Sequence, residues 1–187
     1  MYKRKIYNRL RQWKSESNGA TALMIEGARR VGKSTVAEEF AKNEYRSYIL
    51  IDWQKAPQAV RDSFRNNLDH LDTLFMDLSV YYGVRLYERD TLFIFDEVQL
   101  FPFARSAVKQ LVADGRYDFM ETGSLISIKK NVENILIPSE EESVSMFPMD
   151  FEEFLWARGE ELLADAIRQA FADRRAMSPL LDNKAER

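Results

Sequence analysis

The chain has 187 residues, of which 45% are hydrophobic and 30% charged, and its formal net charge is -3. That composition suits one globular domain with a sizeable core, and the overall charge gives no reason to expect a nucleic-acid partner. The sequence holds no cysteine, which excludes disulfides, thiolate metal sites and cysteine nucleophiles, and His70 is its one histidine, so any Ser-His-Asp triad would rest on that residue alone.

Tyr2, Ile6, Leu10 and Trp13 recur at helical spacing, predicting an amphipathic first helix over residues 2–14. Lys3, Arg4, Lys5, Arg9, Arg11 and Lys14 lie between them and read as a solvated face, with nucleic-acid or membrane contact as the alternative, a nucleic-acid role resting on this helix alone. No apolar stretch follows this basic start and no run approaches 18 apolar residues, so neither a signal peptide nor a membrane span is indicated. The cytoplasm is the expected compartment.

Ser17-Asn18-Gly19 breaks the helix, and residues 21–25 form a first buried strand. Val36, Phe40 and Ala41 then mark one side of a short helix ending near Asn43, and residues 47–53 read as a second strand ending at Asp52. From Pro57 the apolar positions Val60, Phe64, Leu68, Leu71, Phe75 and Leu78 predict one long helix or two shorter ones broken at Asn66-Asn67, closed by Gly83. His70 falls in this polar pattern, as a solvated or boundary residue.

Residues 91–95 are continuously apolar, as in a strand buried on both faces of a parallel sheet, and they run into Asp96-Glu97. Phe103, Ala107 and Leu111 mark a helix closed by Asp114-Gly115. A fourth strand is predicted over 117–120, leading to Glu121-Thr122-Gly123-Ser124, and a fifth over 144–147, past the acidic run Glu140-Glu141-Glu142. Asp150 and Glu153 have capping-box spacing, with Met149 and Phe154 placed as a hydrophobic staple. A last helix starts at Glu160, with Leu163, Ile167 and Phe171 along one side, and ends at Ser178-Pro179. Residues 1–177 thus read as one α/β domain with a mainly parallel sheet, and 178–187 as a frayed tail.

The most informative segment is Gly27-Ala28-Arg29-Arg30-Val31-Gly32-Lys33-Ser34-Thr35. It fits G-x-x-x-x-G-K-[ST] between a predicted strand and a predicted helix, which is the setting of a phosphate-binding (Walker A) loop. Backbone N–H groups of such a loop ring a polyphosphate, and the helix N-terminus adds partial positive charge. Lys33 is suited to the β- and γ-phosphate oxygens, the Ser34 hydroxyl to Mg²⁺, and Thr35 adds a backbone donor near the α-phosphate. Arg29 and Arg30 are expected to face outward.

Nucleotide hydrolysis also needs a carboxylate for the Mg²⁺ shell and a group that activates water. Asp96, ending an apolar strand, is the candidate for the first, and Glu97, pointing another way along the strand, for the second (a Walker B pair). Thr122 and Ser124 are candidate sensors of the γ-phosphate, or else an ordinary Thr-Gly-Ser turn.

Together with this loop, the segments Phe93-Ile94-Phe95-Asp96-Glu97-Val98-Gln99 with Pro102, Thr122-Gly123-Ser124, and Phe147-Pro148-Met149-Asp150-Phe151-Glu152-Glu153-Phe154 resemble the AAA-type ATPases of bacteria and archaea whose ATPase domain precedes a C-terminal domain of unknown function, the DUF4143 type. The resemblance implies a RecA-like αβα sandwich with a five-stranded sheet in the order 5-1-4-3-2. It also implies Mg-ATP at Lys33, Ser34 and Asp96, with Glu97 as base. Many members carry a Gly-Arg pair where residues 135–142 read Ile-Leu-Ile-Pro-Ser-Glu-Glu-Glu, so an arginine role there has no support. Members are about twice as long, which makes this chain an expected N-terminal fragment or truncated product lacking its C-terminal partner domain.

Three functions fit these residues. They are an ATPase of weak activity in isolation, a nucleotide-dependent switch or binding module with little turnover, and a small-molecule kinase. The kinase would leave Glu97 idle.

Overall fold

The computed structural model describes residues 2–124 and 140–185. Where the sequence predicts one domain over 1–177, the backbone groups into two compact units, Ile6–Phe147 and Met1–Lys5 with Pro148–Arg187. The larger contains α1 (Ile6–Ser17), β1 (Ala22–Gly27), α2 (Lys33–Glu44), β2 (Ser47–Asp52), α3 (Gln58–Asn67), α4 (Leu71–Tyr82), β3 (Thr91–Asp96), α5 (Pro102–Asp114), β4 (Asp118–Ser124) and β5 (Glu141–Met146).

Its five strands form one sheet in the order β2-β3-β4-β1-β5, and every neighbouring pair is parallel. This is the expected 5-1-4-3-2 order read from the opposite edge. All six residues of β3 are buried, because helices cover both faces of the sheet. Alternate side chains sort to the two sides. Ile49, Ile51, Phe93, Phe95 and Phe119 meet α3, α4 and α5, whereas Leu23, Ile25, Leu92, Ile94 and Met120 meet α1 and α2. Each such buried side chain contributes about 1.5–3 kcal/mol, so the layering follows from the placement of the apolar residues.

Several boundaries differ from those the sequence predicts. The first helix begins at Ile6, and Tyr2 is 61% exposed instead of packed. Just ahead of it, Glu153 accepts the Lys5 backbone N–H at 2.7 Å and pairs with the Arg4 guanidinium at 3.2 Å, which holds that backbone out of the helix. Two helices follow Pro57, and the break falls just after Asn67, leaving His70 exposed at the start of α4. Strand β4 continues through Ser124, and β5 begins three residues before Val144.

Both strand extensions carry buried charge. Arg105 of α5 makes two parallel bonds to Glu141, at 3.0 and 2.7 Å, and both side chains are almost fully buried. Glu121 on β4 is wholly buried beside Glu141. Burial, then the facing Glu141 carboxyl, pushes the Glu121 carboxyl well above the usual range, and Arg105 offsets this only in part. Neither Glu121 carboxyl oxygen has a hydrogen-bond partner, so its buried charge is poorly compensated and the folded state favours protonated Glu121. A raised folded pKa means stability present at low pH and lost as pH rises through that value. Glu121→Gln, which keeps the shape and a donor, is therefore expected to raise stability by about 1–3 kcal/mol at pH 8, the cost of one poorly satisfied buried group, with little change near pH 5. Urea midpoints across that pH range check it; equal gains at both ends would contradict it.

The smaller unit holds α6 (Phe151–Ala157), α7 (Glu161–Ala172) and α8 (Pro179–Ala185) around a core of Leu155, Leu163 and Ala164. Asp150 and Glu153 form the expected capping box, each side chain accepting the other's backbone N–H. Leu163 packs in this core with Ile167 at its edge, but Phe171 is 86% exposed. Where the sequence predicts a frayed tail, α8 lays Leu181 and Ala185 against the same core. Among the described residues, no helix is long and apolar enough to cross a membrane.

Candidate functional site

The C-terminal ends of the parallel strands gather Gly27, Asp96, Ser124 and Met146 at one edge, where ligands bind in sheets of this kind. Gly27 stands beside Met146 in the register, and a Cβ built there would lie 2.2 Å from the Met146 carbonyl oxygen. Only glycine lets the loop leave the sheet at that point. Arg30 at φ 64° and Gly32 at φ 97° then bend the backbone through the left-handed region. For Arg30 this is uncommon, and it marks a position whose conformation favours glycine.

Gly32 caps α2, and its carbonyl accepts the Val36 N–H at 3.0 Å. No side chain caps this helix and no acidic residue sits in its first turn. The leading N–H groups of Lys33, Ser34 and Thr35 have no carbonyl partner within the helix, and with the helix dipole they make an anion-binding end. Ala28, Arg29, Arg30 and Thr35 are exposed, and Val31 is half-buried. The outward placement expected of both arginines holds.

Lys33 is buried, and its Nζ donates to the carbonyl oxygens of Gly27 and Ala28 at 3.2 and 2.8 Å. Burial lowers its pKa, the carboxylates of Glu97 and then Asp96 oppose that shift, and Arg29 adds to it. The ammonium thus sits inside the loop with two carboxylates acting on it.

Asp96 is the last residue of β3, on the sheet face that meets α2. Ser34 Oγ donates to Asp96 Oδ1 at 2.6 Å, joining residues 62 apart in sequence. Thr122 Oγ1 donates to the same Oδ1 and accepts the Glu97 backbone N–H at 3.3 Å. A hydroxyl has one proton to give. Here Thr122 gives it to the Asp96 carboxylate, a connection the sequence does not reveal. Ser124 is buried at the end of β4, opposite Gly27 in the register.

Glu97 lies outside the strand. Its left-handed backbone, φ 54° and ψ 46°, leads into a 3-10 turn, Val98–Leu100, so strand alternation does not set its direction as the sequence suggests. Gln99, buried in that turn, donates its amide to Glu97 Oε2. No spacing rule singles it out.

Among the described residues no group of three or more acidic, histidine or cysteine side chains could hold a metal alone. Ser34 and Asp96 instead bring two hard oxygens together, a set that suits Mg²⁺ when phosphates and water complete its octahedron. The expected Gly-Arg position falls largely on residues 135–139, outside the described residues.

None of the curated proteins matches the sequence. Among solved structures, the fold is similar to one titled as the structure of the Aeropyrum pernix Orc1 protein in complex with DNA, at a TM-score of 0.52 and 13% identity. That match covers 97% of this chain and 64% of the other, so this chain spans under two thirds of its neighbour. At such identity the likeness concerns the fold. Residues 19–155, which hold the loop, the Asp96-Glu97 pair and the whole sheet, match the family model described as an AAA domain, and the chain belongs to that family.

Proposed function

We propose that this chain is an ATPase domain that binds Mg-ATP on residues 27–35 and hydrolyses it with Glu97 as general base. The meeting of Ser34 with Asp96 at 2.6 Å carries this reading, because it joins the phosphate loop to the carboxylate that nucleotide chemistry needs. The backbone donors of Gly32 to Thr35 cradle the phosphates, and Lys33 moves from its loop carbonyls to the β- and γ-oxygens. Ser34 and Asp96 hold the cation, and Thr122 keeps Asp96 oriented. A Mg²⁺ ion held there would offset the negative charge of the phosphates. Glu97 takes the proton of the attacking water as its oxygen bonds to the γ-phosphorus and the bond to the ADP oxygen breaks, which yields ADP and phosphate.

The test is ATP binding and single-turnover hydrolysis by the purified chain, with Mg²⁺ and with chelator. Binding with Mg²⁺-dependent turnover is expected. Tight retention without turnover would indicate the switch module, phosphate transfer to a small acceptor the kinase, and no ATP binding would overturn all three. Thr122→Val, which leaves Asp96 one donor short, is expected to weaken Mg²⁺-dependent turnover about tenfold, as for other groups that orient metal ligands. Turnover against Mg²⁺ concentration measures it; a change under twofold would contradict the role.

A nucleic-acid partner gains no support from the basic N-terminus. Lys3 faces Glu161, Arg4 faces Glu153, and Lys5 faces Asp150 and Glu152. Arg9 faces Glu142, Arg11 faces Glu44, and Lys14 reaches the Glu44 carbonyl and the Tyr45 ring. The compartment consistent with this chemistry is the cytoplasm.

A further inference from the structure

Gln99 has no assigned part in binding or hydrolysis, yet its side-chain amide donates to the proposed base. It lies two residues past Glu97, is only 7% exposed, and gives its amide proton to Glu97 Oε2. A glutamate side chain has three torsions, and a carboxylate left to rotate would spend most of its time misaligned with an attacking water. A buried amide is a fixed donor that removes this freedom.

The backbone of Glu97 is held as well. Its N–H donates to Thr122 Oγ1 at 3.3 Å, and its carbonyl accepts the Leu100 N–H at 2.9 Å. These bonds support a left-handed conformation that a non-glycine residue adopts only when its surroundings impose it.

We propose that Gln99 is a positioning residue, whose amide holds the Glu97 carboxylate aligned toward the attacking water before the nucleotide reacts. This rests on Glu97 being the base. Gln99→Met keeps the length and removes the donor, and Gln99→Glu keeps the shape but has no proton to give near neutral pH. In the full chain with Mg-ATP, both are expected to lower kcat about tenfold or more, with KM and ATP affinity within twofold of the parent. Placed on a Glu97→Gln background, either change is expected to cause no further loss in turnover, since the proposed role runs through that carboxylate.

A kcat within twofold of the parent would overturn the proposal, as would kcat and affinity falling together, or the same loss persisting without the Glu97 carboxylate. Thermal melting shows whether each variant folds. If Gln99→Met does not, Gln99→Glu decides, and if neither folds the residue is structural and the proposal fails. Glu97→Gln separates this from the broader reading. If that variant turns over like the parent, Glu97 is not the base; if it is inactive while both Gln99 variants are fully active, only the positioning role is lost.

Discussion

Glu97→Gln is expected to bind Mg-ATP as tightly as the parent and to hydrolyse it about 10²- to 10⁴-fold more slowly. The range is that of losing a general base, and the glutamine amide cannot accept a proton at neutral pH. Binding is spared because the proposed site draws its phosphate contacts from the loop and Lys33, and its cation contacts from Ser34 and Asp96. Folding is also spared. Glu97 is half-buried, and its Gln99 contact needs an acceptor that the amide oxygen of the new side chain can supply. Single-turnover measurement with ATP prebound isolates the chemical step from release of products, and an unchanged rate would remove Glu97 from the mechanism.

Lys33→Ala acts one step earlier. The ammonium is the one side-chain cation buried within the phosphate loop, and charge-assisted bonds of its kind contribute about 1.5–3 kcal/mol each. Losing two of them predicts at least a 100-fold weaker affinity for ATP, read by titration with a fluorescent ATP analogue and by competition with ATP itself. Stability should change by less than about 1 kcal/mol. The bonds lost from the free protein are two to loop carbonyls that water can replace, at 3.2 and 2.8 Å. Parental affinity in this variant would mean that the nucleotide sits elsewhere.

The parts of the fold that the sequence reveals are those where one local signal decides the outcome. A short unbroken apolar run rich in aromatic and β-branched residues fits a strand covered on both sides, and β3 is buried along its whole length. A glycine-rich loop ahead of Val36 and Phe40 had to become the entry to α2. The signal failed where a charged residue finds its partner far away in the chain. Glu141 looks like part of a solvated acidic run until Arg105 reaches it from α5, and Glu121 looks like a strand exit for the same reason. The start of α1 was hidden because Tyr2 keeps helical spacing with Ile6, while the backbone between them is engaged by Glu153.

At the candidate site, the residues that the sequence brings forward lie close together, but their connections were not legible. The spacing of Lys33, Ser34, Asp96 and Glu97 suggests the proposed chemistry. It cannot show that Thr122 spends its proton on Asp96, or that Gln99 fastens Glu97, since both depend on side-chain directions set by β4 and by one short turn. Arg30 illustrates the converse. Its left-handed backbone is a requirement of the loop that the residue type conceals.

A crystal structure of the Glu97→Gln protein grown with ATP and Mg²⁺ tests the central claim most directly. The account predicts the triphosphate within residues 27–35, Lys33 on its β- and γ-oxygens, and the cation beside the Ser34 hydroxyl and the Asp96 carboxylate. A nucleotide bound elsewhere, or a cation away from Ser34 and Asp96, would contradict it.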